Sequence, residues 1–180
     1  MIMAFQRTFL VGVGCLSNHE MRAGSSALAK ACGCNLIECS FKDNPRNLLD
    51  SLPHRDCLIQ LLGDAAMHKP DCGSWLEALG AFRQPIILKV ISTPSGEVPG
   101  HAAAYTSLCK YLGVPLLGLI QIGGNWDDIN RRLDGLPWLG YLSADSQVES
   151  SNLEEDIKFE EENLEEIVFL VHKRFNTLNI

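Results

Sequence analysis

The fold is decided by Pro85-Ile86-Ile87-Leu88-Lys89-Val90-Ile91, then His101–Leu112, then Pro115-Leu116-Leu117-Gly118-Leu119-Ile120-Gln121-Ile122. The two outer runs are short, rich in Ile, Leu and Val, and show little in/out alternation. That is the pattern of strands covered on both faces. The segment between them places Ala104, Leu108, Tyr111 and Leu112 on one side of a helix and stops at Gly113. Strand, helix and strand in this order make a right-handed crossover between parallel strands.

The alternation extends outward in both directions. Thr8–Val13, Asn35–Cys39, Asp56–Leu62 and Leu136–Leu142 read as further strands. Glu20–Cys32 reads as a helix ending at Gly33. Asn44–Leu52 opens with a cap and a first-turn proline. Trp75, Leu76, Leu79 and Phe82 share a helical face that Pro85 ends, and Asn125–Asp134 is a helix ending at Gly135. The expectation is a three-layer α/β domain over residues 1–143, a mainly parallel sheet of about six strands with helices on both faces and Rossmann-like topology.

After Ser143 the pattern changes. Residues 144–151 read as a polar linker, and 152–180 as an amphipathic helix opened by a capping box at Ser151-Asn152-Leu153-Glu154. Its stripe is Leu153, Ile157, Leu164, Ile167, Val168, Val171, Phe175 and Leu178, with a break at Glu160–Glu161 that allows two pieces. The stripe must dock, on the sheet domain or on a partner.

Of the chain's formal charge of −7 over 180 residues, all falls in residues 145–180, which hold ten acids and three bases. The body is neutral. Neither part carries the basic stripe of a nucleic-acid binder, and no run approaches the roughly 20 apolar residues of a membrane span. Phe9–Cys15 is too short for a lipoprotein signal. The seven cysteines are odd in number and lie mostly in apolar runs. They read as thiols of a cytoplasmic protein. Cys32-x-Cys34 lacks the second pair that a zinc site needs, so no metal site is expected.

Ligands of such sheets bind beyond the carboxyl ends of the strands. The first loop, Gly12-Val13-Gly14-Cys15-Leu16-Ser17-Asn18-His19, has the strand, glycine turn and helix start that cradle phosphate. Gly12, Gly14, Ser17, Asn18 and His19 are therefore ligand-binding candidates, although turn glycines of this kind also serve structure alone. No acid stands at ribose distance unless Glu38 serves. Cys15, beside a helix start, is the best nucleophile among the thiols. In the second loop Lys42 could neutralise phosphate and Asp43 could hold magnesium, and either Asp43 or Asn44 could instead cap the next helix. The third loop offers Asp64, His68 and Asp71. The fourth, Ser92–His101, is a shaped loop able to cover a pocket or meet a partner. In the fifth, Asn125 can cap a helix whose Asp127–Arg131 and Asp128–Arg132 are spaced as ion pairs. Trp126 and Trp138 suit core or dimer contacts.

Pro85–Val90, Gly100-His101-Ala102, Leu112–Ile120 and Leu136–Leu142 together resemble the dethiobiotin synthetase group of P-loop proteins, which includes the cobyrinic acid amide synthases. The resemblance covers about residues 56–143, with strand one and its loop aligned, and Phe41-Lys42 looks like the group's aromatic–lysine pair. It implies P-loop NTPase-like topology, a homodimer, and ATP with magnesium as cofactors of a ligase-like enzyme. The departures fall on function. The group's phosphate-loop lysine and threonine fall at Asn18 and His19. Its third-strand acid is replaced within Gln60-Leu61-Leu62-Gly63. Its purine-reading asparagine falls near Ile122, close to Asn125, and its sixth-strand proline is Ser143. Coordinated loss of phosphate, magnesium and base recognition points to a non-catalytic module for binding, regulation or assembly, with the C-terminal helix as a possible partner contact. The alternative is an active ATP- and magnesium-dependent ligase-like enzyme. There Gly12, Gly14 and Ser17 hold the anion, Lys42 supplies charge, and Asp43 or Asp64 holds the metal.

Overall fold

The computed structural model describes residues 6–144 and 153–178. The expected linker from 145 on, and the start of the expected capping box at Ser151-Asn152, lie outside the described residues. The strands are β1 (Thr8–Gly12), β2 (Asn35–Ser40), β3 (Cys57–Leu62), β4 (Ile86–Ile91), β5 (Leu116–Ile122) and β6 (Trp138–Leu142). They form one sheet in the order β2-β3-β1-β4-β5-β6, and every neighbouring pair is parallel. The helices are α1 (Asn18–Arg22), α2 (Ser25–Ala31), α3 (Pro45–Ser51), α4 (Trp75–Ala81), α5 (His101–Tyr111), α6 (Asp128–Leu133) and α7 (Leu153–Leu178).

The strand residues feed two cores. Phe9, Val11, Ile59, Leu61 and Leu88 face Leu49, Trp75, Leu76, Leu79 and Cys109 of α3, α4 and α5. Leu10, Leu58, Ile87, Leu117, Ile120 and Leu139 face Met21 and Leu28, and Ile167, Val171 and Phe175 of α7. The chain leaves β1 toward the α1–α2 face, while the connections after β3 and β4 run through α4 and α5 on the other. The crevice at the carboxyl end of the sheet therefore opens where β1 parts from both neighbours.

Five local expectations are corrected. The helix expected over Glu20–Cys32 is two helices broken at Ala23-Gly24, where Gly24 takes a φ of 68° and lies against Leu142. A side chain from another strand holds this break. Lys89, in the middle of β4 and 1% exposed, donates from Nζ to Met21 O (2.5 Å), Ala23 O (2.7 Å) and Ser25 Oγ (3.0 Å). On α5 the buried side is Ala102, Tyr105 and Cys109, while Ala104 and Tyr111 are exposed. Phe82 lies past α4 and is also exposed. Asp127, not Asn125, caps α6, accepting from the amides of Ile129 and Asn130. Neither i,i+4 pair forms there: Arg131 bonds Asp134, Gln121 and the Gly96 carbonyl, and Asp128 accepts from the Trp126 indole.

Helix α7 is continuous across Glu160–Glu161. It docks on its own sheet, with Ile167 and Val171 fully buried. Gly140 allows the approach, since a Cβ there would stand 2.8 Å from Ile167 Cγ1. Arg174 reaches under the helix and donates to the carbonyls of Leu117 (2.5 Å), Pro137 (2.7 Å) and Trp138 (2.8 Å). The Asn163 amide donates to Tyr141 O on the edge strand. Among the described residues, no helix is long and apolar enough to cross a membrane.

Candidate functional site

The glycine turn after β1 lies in the crevice as the sequence suggests. Gly12 lets α1 pack closely, since a Cβ there would meet Met21 Sδ at 2.8 Å. Ser17 caps α1 in a reciprocal box: Glu20 N donates to Ser17 Oγ (3.2 Å), and Ser17 N donates to Glu20 Oε2 (2.7 Å). The bonds from Ser17 hold the Glu20 carboxyl below its ordinary pKa. The helix start thus carries its own anion on an amide that a phosphate would need. Asn18 and His19 are exposed on this single-turn helix.

The Tyr105 hydroxyl lies beside the Gly14 backbone and donates to Asp64 Oδ1 at 2.5 Å. The same Asp64 oxygen accepts from Ala66 N at 2.8 Å. Burial, and then the bond to Asp64, push the phenol pKa up. Above this network stands His101, with Nε2 3.5 Å from where a Cβ on Gly14 would be. Of the sequence candidates, then, Gly14 and Asp64 come together, and Tyr105 joins them.

The others stand apart. Phe41 packs its ring on Gly63 and takes bonds on its carbonyl from Lys69 Nζ (2.7 Å) and the Trp75 indole (3.1 Å). Lys42, next in sequence, is exposed. Asp43 closes a turn on Ser40 N (2.9 Å), and Asn44 caps α3. Asn125 is exposed and is held by its backbone, donating to Pro94 O (3.1 Å) and accepting from Gln121 Nε2 (3.1 Å). Glu38, the possible ribose acid, grips Arg22 with both oxygens (2.7 and 2.8 Å) and accepts from Gln60 Nε2 at 3.1 Å. The fourth loop covers the fifth. A Cβ on Gly124 would strike Thr93 and Ser92.

Two carboxylates stand in the crevice: Glu20 accepts from the Ser17 amide at the start of α1, and Asp64 accepts from Tyr105 and Ala66 N. Lys89, whose strand residue pairs with Gly12, turns its amine away to the α1–α2 break. Among the described residues no group of three or more His, Cys, Asp or Glu could hold a metal ion.

Sequence reasoning missed Tyr105, His101 and Lys89. Lys89 did leave a signal, because a cation in an apolar strand covered on both faces must find acceptors. Tyr105 left a weaker one in the spacing of Ala102, Tyr105 and Cys109. No protein-family model matches the chain, and no curated protein matches it.

Proposed function

We propose that this chain is a non-catalytic α/β domain, of the kind its resemblance to the dethiobiotin synthetase group suggests, that serves as an assembly module by self-association. The observation that carries the first half is the phosphate cradle, where Glu20 takes the Ser17 amide and Tyr105 lies beside Gly14. Calorimetry with ATP, ADP or GTP and magnesium at millimolar concentration is expected to give no binding heat. A turnover that Asn18→Ala or Lys42→Ala abolishes would establish the ligase-like enzyme instead.

The second half rests on the groove between α2 and α7, about 700 Å3 in volume. Its floor is Ala27, Ala31, Leu164 and Val168, and its rim is Phe169, 65% exposed. Lys30 stands on one wall and Glu161 and Glu165 on the other. A two-fold axis through such a groove sets each Lys30 against the acids of the second copy and each Phe169 against the small residues of α2. Sedimentation equilibrium is expected to show a dimer. Phe169→Glu should weaken it by roughly 100-fold or more. Lys30→Glu alone should weaken it, and adding Glu165→Lys should restore it. A native chain that stays monomeric at high micromolar concentration would end this reading.

A further inference from the structure

We propose that Cys32-Gly33-Cys34 is a reversible dithiol site that exchanges with low-molecular-weight disulfides such as glutathione disulfide, closing to a Cys32–Cys34 disulfide. The two thiols are neighbours by construction of the helix end. Cys32 caps α2, Gly33 turns left-handed with a φ of 64°, and the chain closes with Gly33 N on Lys30 O and Cys34 N on Ala29 O, both at 3.0 Å. This closure folds the chain back, sets Cys34 Sγ 3.6 Å from Ala29 O, and packs both cysteines against the same core. Nothing lies within 4 Å of where a Cβ on Gly33 would stand, so a bulky disulfide can approach the bend. Both cysteines are partly exposed and free.

The remaining five thiols of the seven are placed differently. Cys39, Cys57 and Cys109 are buried in the opposite core, and Cys57 Sγ faces Pro53 O at 3.3 Å. Cys15 is exposed and Cys72 partly so, and each stands in a separate loop. Cys34 turns its sulfur to the helix-end carbonyl of Ala29, and the neighbouring Cys32 holds its pKa below the ordinary thiol value, so Cys34 is the attacking sulfur.

The Cys34 thiolate attacks one sulfur of the small disulfide. That S–S bond breaks, and the first small thiolate leaves with the electron pair and takes up a proton. The Cys32 thiol then loses its proton and attacks Cys34 Sγ, expelling the second small thiol. Two protein thiols are oxidised, one small disulfide is reduced to two thiols, and the two protons from the cysteines end on the products.

The test uses the whole native chain in graded glutathione and glutathione disulfide buffers, with acid quench, alkylation and peptide fragmentation. The expected result is loss of two alkylatable thiols, with the link between Cys32 and Cys34 and the other five still alkylated. Cys32→Ser should trap a glutathione adduct on Cys34, and Cys34→Ser should slow adduct formation at Cys32 by roughly tenfold or more. Circular dichroism checks that both variants are folded. A stable glutathione adduct on native Cys34, a link to any other cysteine, or two thiols that stay reduced while Cys15 reacts would each overturn the proposal.

Discussion

Replacing Lys89 by methionine should lower the unfolding free energy by about 2–4 kcal/mol and the thermal midpoint by on the order of 10 °C. Methionine fills the volume of the lysine stem and supplies no donor. The carbonyls of Met21 and Ala23 and the Ser25 hydroxyl would lose their shared partner at a helix break they cannot leave. A buried carbonyl left without a donor costs about 1–3 kcal/mol. Ser25 Oγ still donates to Met21 O at 2.8 Å, which limits the loss. Relief of the lysine's own desolvation offsets part of it. Hydrophobic replacement can stabilise a buried ion pair when both partners go, but here two of the three partners are backbone carbonyls that remain.

The same residue sets a pH dependence. Burial pushes the Lys89 ammonium down to about 7, while an unfolded lysine keeps its proton to about 10.4. Between those values the unfolded chain binds more protons, so stability rises with pH, by up to ~1.4 kcal/mol per unit. From about pH 8.5 the thiols oppose this. Burial pushes Cys39 and Cys109 up to about 12, so the folded chain keeps protons that the unfolded thiols release, and stability falls. Two such thiols outweigh one lysine. Urea unfolding at several pH values should therefore show a stability maximum between about pH 8 and 9. In Lys89→Met the rise between about pH 7 and 8.5 should disappear. An unchanged slope in the variant would show that Lys89 stays protonated in the folded chain.

Lys89 also explains which features were legible in the sequence. The strands around it are local: Ile86, Ile87, Leu88 and Val90 are all buried in register with β1 and β5. The helix break is not local, because Ala23 and the amine that holds its carbonyl are 66 residues apart. Arg7 does the same at the end of α3, donating to the carbonyls of Leu49 and Leu52, and Arg174 does so at β5 and β6. These three cations have backbone carbonyls as acceptors, and none points into the crevice. The start of α6 is likewise set by a contact made outside the helix. The Trp126 ring stacks on Tyr141 at 5.4 Å and its indole bonds Asp128, which holds it outside the helix. In the candidate site the glycine turn could be read from Gly12 and Gly14, but its occupant could not. The Tyr105 hydroxyl meets Asp64 across 41 residues.

A chain ending at Ser143 is expected not to fold on its own, the larger of the two effects. The sequence divides there by composition, but the sheet does not. Removing α7 takes Ile167, Val171 and Phe175 out of a core they share with Leu117, Ile120, Leu139 and Leu142. Each large apolar side chain withdrawn from burial costs about 1.5–3 kcal/mol, and the uncovered strand residues add their own exposure. Losing Arg174 also leaves the carbonyls of Leu117, Pro137 and Trp138 without its donors. The total, roughly 6–10 kcal/mol, is comparable to the whole stability of a domain this size, about 5–15 kcal/mol. Fragment 1–143 should collect in the insoluble fraction or melt without a cooperative transition, whereas full-length Arg174→Met should fold with a lowered midpoint. A soluble fragment with a sharp transition would instead make α7 an appendage, and its apolar stripe would then be free for a partner. In the docked arrangement Ile167, Val171 and Phe175 of that stripe are already covered, so an assembling partner is left with the groove beside them, where Leu164 and Val168 lie open and Glu161, Glu165 and Phe169 face Lys30.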